Sequence, residues 1–178
     1  FLPRAELCVT SMVARPFHPD EIRAIRARYT CPIVFVALGM SAQFTQPVSV
    51  EGVEAHFYVT EGVPLTGSNV TVIPSSTLHT QDYVAAADYV ITKAGWGTVA
   101  ECLLAQKPMA LFARDSVLED RTTIRKLEQK KLGIKVTYEQ LTEMSDLLEQ
   151  MKQITYPAVP EYHNAAAEIV SKLLTLTE

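Results

Sequence analysis

Apolar runs of strand length alternate along the chain with segments whose apolar residues recur at helical spacing. The clearest run is Ile33–Leu38 (IVFVAL), which contains no polar residue and stops at Gly39. Such a run predicts a strand that is buried on both faces of a parallel sheet. Further strands are predicted at Val53–Thr60, Val70–Ile73, Tyr89–Thr92, Pro108–Ala113 and Ile134–Thr137.

The segments between the strands carry the start and stop signals of helices. Pro19 and the two acids after it suit a first helical turn, and Thr98 and Thr137 suit the capping position. Gly133 is predicted to end the helix that precedes it. The predicted helices are Pro19–Tyr29, Gln81–Ala87, Thr98–Gln106, Glu119–Leu132, Tyr138–Gln153 and Pro160–Leu176.

This alternation predicts an α/β fold, namely a doubly wound, Rossmann-like parallel sheet with helices on both faces. The chain has 178 residues, which is enough for one compact domain and too few for two. We assign residues 18–178 to this domain. We expect residues 1–17 to be a linker or the end of an upstream domain.

Charge, hydropathy and cysteine spacing narrow the class of protein. The net charge of −4 argues against a nucleic-acid-binding surface, which normally carries a basic excess. No apolar run approaches the roughly 20 residues of a membrane-spanning helix. Cys8, Cys31 and Cys102 have no CxxC spacing, so we expect buried free thiols in the cytoplasm. The four histidines have no metal-ligand spacing, and no metal is expected.

Ligands of an open parallel sheet bind beyond the carboxyl ends of its strands, so the residues after each strand carry the candidate chemistry. Gly39-Met40-Ser41 follows the first predicted strand, Lys93–Thr98 follows the fourth, and Arg114-Asp115 follows the fifth. Glu119 and Asp120 open the next helix. We expect these loops to converge on one edge of the sheet.

The turn Lys93–Thr98 (KAGWGT) is the most informative of these loops. Gly95 and Gly97 allow the backbone to approach a ligand closely, and the helix that follows directs free N–H groups and a positive dipole end towards it. Such a site favours phosphate. Glu101 lies about one turn into the helix, where its carboxylate can accept hydrogen bonds from two ribose hydroxyl groups.

Each of these residues also has an ordinary structural interpretation. Glycine-rich turns occur for packing alone, and an early acid such as Glu101 often only stabilises the helix dipole. Trp96 could be a core or interface residue. Arg114 and Glu119 could form an exposed ion pair that contributes little to stability.

The segment Asp82–Pro108 as a whole resembles the donor-binding region of GT-B glycosyltransferases. It is similar to the family of the peptidoglycan lipid-intermediate GlcNAc transferase, whose pattern ADxxIxxxGxxTxxE is followed by a small residue and Pro. The version Lys-x-Gly-x-Gly-Thr-Val-x-Glu found here is nearer to the GT-B-like amino-terminal part of plant arabinokinases. The residues that match the pattern are Ala87, Asp88, Ile91, Gly95, Thr98, Glu101 and Pro108.

The resemblance implies a carboxyl-terminal domain that binds a UDP-sugar. In that family the glutamate at the Glu101 position holds the ribose, and the two glycine-containing loops lie against the diphosphate. Lys93 could neutralise the diphosphate, and Trp96 could stack on the ligand. The expected nucleotide and phosphate contacts are Gly39, Ser41, Lys93, Gly95, Trp96, Gly97, Thr98 and Glu101. The expected donor-sugar contacts are Arg114, Glu119 and Asp120, in place of the family's usual Asp/Asn/Gln pair.

A complete GT-B enzyme has two facing domains, and the resemblance implies that this chain is only the carboxyl half. We therefore expect no catalytic base here; the base and the acceptor site belong to an amino-terminal domain or a separate subunit. The whole enzyme would be a hexosyltransferase that moves a hexosyl group from the UDP-sugar to an acceptor hydroxyl. The helix at Thr98 would stabilise the departing diphosphate without a metal or another cofactor. Contact with a membrane is expected only through the missing half.

Two alternatives compete with this interpretation. Gly95–Ala100 matches the GxGxxA fingerprint of nicotinamide-binding domains, and Asp115 follows at about the spacing of their ribose-binding acid. Lys93 and Trp96 crowd that turn, however, and the fingerprint normally opens the sheet. A non-catalytic nucleotide-sugar-binding or interaction domain is the second alternative. A P-loop kinase is excluded because GxxxxGK[ST] is absent.

Overall fold

The computed structural model describes residues 8–38, 46–114 and 117–175 of the chain. Within them, strands and helices alternate as expected for an α/β domain. The strands are β1 Ile33–Ala37, β2 Val48–Ser49, β3 His56–Thr60, β4 Leu65–Thr66, β5 Val70–Ile73, β6 Tyr89–Lys93, β7 Met109–Phe112 and β8 Gly133–Lys135. The helices are α1 Pro19–Arg26, α2 Thr80–Ala86, α3 Trp96–Leu104, α4 Leu118–Gln129, α5 Tyr138–Thr142, α6 Met144–Met151 and α7 Ala166–Thr175.

Six of the strands form one parallel sheet in the order β5-β3-β1-β6-β7-β8. The chain builds β1, β3 and β5 outward in one direction, returns to the centre, and builds β6, β7 and β8 in the other. The order of connection therefore reverses between β1 and β6, which is where doubly wound sheets bind their ligands. The short strands β2 and β4 pair separately, also in parallel.

The continuous apolar run of β1 is explained by burial on both faces of the sheet. Ile33 and Phe35 belong to one core, and Val34 and Val36 belong to the other. All four side chains are almost completely buried. Since successive side chains of a strand point to opposite faces, a strand between two cores needs no polar position.

Helices cover both faces of the sheet. The first core is closed by α1, α2, α3 and α4, which contribute residues such as Ile25, Val99 and Ile124. The second core is closed by α5 and α6 together with the β2–β4 pair, which contribute residues such as Leu147 and Val48. The predicted fold class, a doubly wound parallel sheet with helices on both faces, is confirmed.

Several details of the predicted elements are wrong, among them the start of the last helix, which is Ala166 rather than Pro160. The segment Tyr138–Gln153 contains two helices rather than one, because the backbone of Glu143 leaves the helical region (φ −104°, ψ 50°). The glycine at position 133 does not end α4. That helix stops at Gln129, and Lys131 takes the left-handed conformation (φ 57°).

Gly133 instead opens β8, where the strands approach closely. A Cβ atom there would lie 3.2 Å from the carbonyl oxygen of Met109 on β7. The glycine is therefore explained by strand packing. The β2–β4 pair is another difference, because strands of two residues leave no periodic pattern in a sequence.

The segment before α1 packs against the segment before α7. Met12 forms a parallel bridge with Asn164, and the backbone N–H of Ala165 donates to the carbonyl oxygen of Met12 at 2.8 Å. None of the side chains of α7 is buried. No helix among the described residues is long and apolar enough to cross a membrane.

Candidate functional site

The candidate site lies at the carboxyl ends of β1 and β6, where the winding of the sheet reverses. The two strands are held in register up to Ala37 and Thr92. The buried hydroxyl group of Thr92 donates to the carbonyl oxygen of Ala37 at 2.9 Å. The loop after β1, which contains the predicted contacts Gly39 and Ser41, lies outside the described residues. The loop after β6 is described in full.

The glycine-rich turn after β6 leads directly into α3. Gly95, rather than Thr98, occupies the capping position, and the helix begins at Trp96. The prediction that Thr98 caps the helix is wrong, because Thr98 already lies inside the first turn. Among the described residues no side chain caps α3, and no acid lies in its first turn, so the N–H groups at this end receive no acceptor from a described capping side chain. An anion in front of the turn would meet these groups and the positive end of the helix dipole.

The two glycines of the turn have different surroundings. A Cβ atom on Gly95 would lie 3.3 Å from Cε of Lys93, because that side chain folds back over the turn. A Cβ atom on Gly97 would have no described atom within 4 Å. Among the described residues, a side chain at Gly95 would therefore require a small shift of the Lys93 side chain, whereas none obstructs a side chain at Gly97, which is exposed.

Glu101 is held inside the protein rather than in solvent. Only 4% of the residue is exposed, although it is a carboxylate. A buried charge of this kind requires a partner, and Arg15 provides it: Nε of Arg15 donates to Oε1 of Glu101 at 2.8 Å. The interpretation of Glu101 as a solvated first-turn acid does not fit this burial.

Arg15 is the site residue that the sequence analysis missed. Its guanidinium group also donates to the carbonyl oxygen of Leu78 at 3.1 Å and to the hydroxyl oxygen of Thr80 at 3.0 Å. It thus connects α3 to the start of α2 and to the loop that precedes α2. Arg15 and Glu101 are 86 positions apart, so no local spacing reveals the pair. The hint that the sequence offers is that Arg15 is a positively charged residue in the segment assigned as a linker.

Arg114 and Asp120 form a tightly bonded pair beside the turn. Asp120 is completely buried and accepts from Nε of Arg114 at 2.8 Å, from Nη2 at 2.7 Å and from the backbone N–H at 3.0 Å. These bonds hold the pKa of Asp120 below its usual value, and the charge of Lys93 acts in the same direction. The pair fixes the start of α4 to the end of β7. Glu119 is exposed next to it.

Trp96 stands at the first position of α3 with 49% of its surface exposed. It lines a cavity of about 300 Å³ between α3 and α4, together with residues such as Val99, Leu127 and Tyr162. The indole ring is therefore neither a core residue nor fully free of contacts. Contact with the nucleotide stays a prediction for Trp96, as it does for the other residues of the predicted site.

A second, larger cavity lies at the opposite edge of the sheet. It measures about 690 Å³ and is lined by residues before or at the starts of strands, among them Pro32, Ala55 and Tyr89. None of the predicted site residues that the structure describes lines it. The free cysteines are not brought together either: Cys8 is exposed, Cys31 is half-buried and only Cys102 is buried. The expectation of free thiols is confirmed, whereas the expectation that all are buried is wrong.

The sequence matches a family model over residues 44–176, well over half of the chain. That model describes the C-terminal domain of glycosyltransferase family 28. The chain belongs to this family. The match covers the turn after β6, Glu101 and the Arg114–Asp120 pair. A comparison with curated proteins finds no significant match.

Solved structures of glycosyltransferases share the fold. SnogD from Streptomyces nogalater superposes with a TM-score of 0.54 at 21% identity, covering 84% of this chain and 44% of SnogD. The calicheamicin glycosyltransferase CalG4 gives 0.55 at 17%, covering 84% and 45%. VinC, solved in complex with dTDP, gives 0.57 at 14%, covering 84% and 43%. This family 28 domain thus spans less than half the length of these structures.

The family membership favours the donor-domain interpretation over the nicotinamide alternative. The topology points the same way, because the Gly95 turn follows β6, which is the strand after the winding reverses. The dinucleotide fingerprint normally follows the first strand of the sheet. Asp115, the acid proposed for that alternative, lies outside the described residues.

Proposed function

We propose that this domain binds the nucleotide part of a UDP-sugar and serves as the donor half of a hexosyltransferase. The observation that carries the proposal is that a buried carboxylate, Glu101, lies on the helix whose start has no capping side chain and, at Gly97, no obstructing atom among the described residues. The carboxylate suits the hydroxyl groups of a ribose, and the helix start suits a diphosphate. A nucleoside diphosphate presents both groups in one molecule.

Each part of the turn has a role in the proposed site. The backbone N–H groups of Trp96, Gly97 and Thr98 donate to the diphosphate, and Lys93 adds positive charge next to it. When the bond between the sugar and the diphosphate breaks, negative charge grows on the departing diphosphate. The same donors then stabilise the transition state more than the bound substrate. No metal is needed for this step in the proposal.

The base that deprotonates the acceptor hydroxyl is assigned to the other half of the enzyme. The domain covers less than half of the glycosyltransferases that share its fold. The partner is an amino-terminal domain of the same polypeptide or a separate subunit, and it brings the acceptor. VinC was solved with dTDP, which supports a nucleoside diphosphate as the ligand of this fold.

The finer parts of the assignment rest on the sequence pattern. We propose likeness to the peptidoglycan GlcNAc transferases and the arabinokinases, with uridine as the base. Contacts of the donor sugar with Arg114, Glu119 and Asp120 are part of the same proposal, as is a role of residues 1–17 as the connection to an upstream domain. The cytoplasm is the proposed location because the cysteines are free.

Thermal unfolding of the purified chain tests the proposal. UDP, UDP-sugars, other nucleotides and NAD(H) are each added in excess. A ligand at 100 times its dissociation constant stabilises the folded state by about 2.7 kcal/mol, which raises the melting temperature measurably. We expect an increase with UDP and none with NAD(H). An increase with NAD(H) alone would assign the Gly95 turn to a dinucleotide site and overturn the proposal.

A further inference from the structure

Arg15 is held rigidly at the rim of the candidate site. The carbonyl oxygen of Pro16 accepts from Nε2 of Gln81 at 3.0 Å, and the backbone N–H of His18 donates to Oδ1 of Asp82 at 2.9 Å. The ring nitrogen Nδ1 of His18 lies 2.8 Å from Oδ2 of Asp82. Gln81 and Asp82 are both buried. The segment that carries Arg15 is thus fastened to α2, and the guanidinium group has a defined position.

The guanidinium group engages only one oxygen of the Glu101 carboxylate. Among the described residues, Arg15 is the donor to Oε1, and none donates to Oε2. A carboxylate accepts several hydrogen bonds when both of its oxygens are reachable. Arg15 therefore compensates the buried negative charge of Glu101 and leaves Oε2 able to accept further hydrogen bonds.

The other contacts of Arg15 fix the direction of this pair. Its two terminal nitrogens donate to Leu78, in the loop between β5 and α2, and to Thr80, the first residue of α2. The planar fork of a guanidinium group holds three partners in a set geometry, which an ammonium group cannot do.

We propose that Arg15 is a positioning residue for ribose recognition: it neutralises Glu101 and orients its free oxygen towards the 2′- and 3′-hydroxyl groups of the nucleotide. This inference rests on the proposed function of the site. It adds that the domain selects a ribonucleotide over the 2′-deoxy form and that the selectivity depends on Arg15. Arg15 itself contacts Glu101 rather than the ribose.

The test compares the binding of two nucleotides to four forms of the protein by calorimetry. UDP and 2′-deoxyuridine diphosphate are titrated into the wild type, Arg15→Ala, Arg15→Lys and Arg26→Ala. Arg26 also pairs with a carboxylate, that of Asp88, but at the other edge of the sheet. It therefore serves as the matched control for the loss of an arginine–carboxylate pair.

We expect the wild type and Arg26→Ala to bind UDP more tightly than the deoxy form. Arg15→Ala should weaken UDP binding about tenfold or more, as expected for a lost charge-assisted interaction. Binding of the deoxy form should change less, so the ratio of the two affinities falls towards one. Arg15→Lys keeps the charge without the fork and should give an intermediate ratio.

Two groups of results overturn the inference. If UDP binds the wild type and Arg15→Ala keeps the same ratio, or binds UDP more tightly, Arg15 does not position Glu101, while the proposed function stands. Should Arg15→Ala fail to fold, a wild-type ratio in Arg15→Lys leads to the same conclusion. If the wild type binds neither nucleotide, both the inference and the proposed function are wrong.

Discussion

At the scale of single residues, the domain pairs each of two buried carboxylates with an arginine. Glu101 is compensated by Arg15, and Asp120 is compensated by Arg114 through three hydrogen bonds. Removing one partner of such a pair leaves an uncompensated buried charge, which costs more than an exposed ion pair contributes. Glu101 lies on α3, which follows the turn after β6, and Asp120 lies in the first turn of α4, so each pair ties a helix of the candidate region to another part of the chain.

His56 is a buried base that links stability to pH. It is 6% exposed, it stacks on Tyr29 with ring centroids 3.6 Å apart, and its Nε2 lies 3.0 Å from the hydroxyl oxygen of Thr71. Burial lowers the pKa of His56 from its ordinary value of 6.5. The folded state therefore binds fewer protons than the unfolded state, and stability must fall as the pH drops below about 6.5 towards the folded pKa.

We predict that His56→Gln removes part of this pH dependence. Glutamine can keep a hydrogen bond to Thr71 but does not titrate. The free energy of unfolding is measured by urea denaturation between about pH 5 and pH 8. One histidine contributes a slope of at most about 1.4 kcal/mol per pH unit. An identical pH profile in the variant and the wild type would show that His56 does not cause the loss.

At the scale of elements, α3 packs into the core along one side and borders the candidate site at its amino end. One side of the helix contributes Val99, Cys102 and Leu103 to the core, and burial raises the pKa of the Cys102 thiol. Its amino end carries Trp96 and Gly97 at the surface. Burial along its length fixes the direction in which the free N–H groups point, because the helix cannot tilt without opening the core.

We predict that Gly97→Ala separates stability from binding. Alanine in a helix is favoured over glycine by roughly 0.5–1 kcal/mol, and no described atom obstructs the added methyl group. The melting temperature should therefore stay the same or rise. The methyl group would stand in the space proposed for the diphosphate, so affinity for UDP should fall about tenfold or more. Unchanged UDP affinity, measured by calorimetry, would contradict a phosphate site at this turn.

Elements with strong local patterns could be predicted from the sequence. The strand Val70–Ile73 has the predicted bounds, and Thr137 caps α5 while Gln140 accepts from its backbone N–H at 2.9 Å. The start of α3 was misplaced because a hydroxyl residue at the third helical position resembles a cap. The break at Glu143 had no glycine or proline to mark it.

The sequence predicts only those parts of the candidate site whose residues lie close together in the chain. The turn after β6 and Glu101 belong to one strand–helix unit, so spacing and strand order suffice to find them. Arg15 reaches the site across 86 positions, and only the packing of its segment on α2 brings it there. The sequence does not show which of two adjacent acids pairs with Arg114, because that depends on which one faces inward. The structure places Asp120 rather than Glu119 in the interior.

At the scale of the whole molecule, the proposed function makes this domain the donor half of a larger glycosyltransferase. In that proposal it supplies the nucleotide site, at the carboxyl ends of the strands of its six-stranded sheet. His18 lies just before α1 and pairs with Asp82 of α2, with Nδ1 2.8 Å from Oδ2. In the proposed function, the residues beside the turn stabilise the diphosphate, and the base that deprotonates the acceptor belongs to the other half of the enzyme.

We predict that the isolated chain does not transfer sugar. Transfer is measured with radiolabelled UDP-sugars and a panel of acceptors, with UDP release recorded in parallel. Binding without transfer is the expected result, because the acceptor site and the base are assigned to the other half. Robust turnover by this chain alone would show that the division into donor and acceptor halves is wrong.

The most direct test of the central claim is the affinity of Glu101→Gln for UDP, measured by calorimetry beside the wild type. Glu149→Gln, which removes an exposed carboxylate paired with Lys152, serves as the control. We predict that the wild type and Glu149→Gln bind UDP alike, whereas Glu101→Gln remains folded and binds about tenfold more weakly or worse, since its ribose acceptor has lost its charge. Equal affinity of all three proteins would contradict the assignment of Glu101 to the ribose and, with it, the position of the donor site.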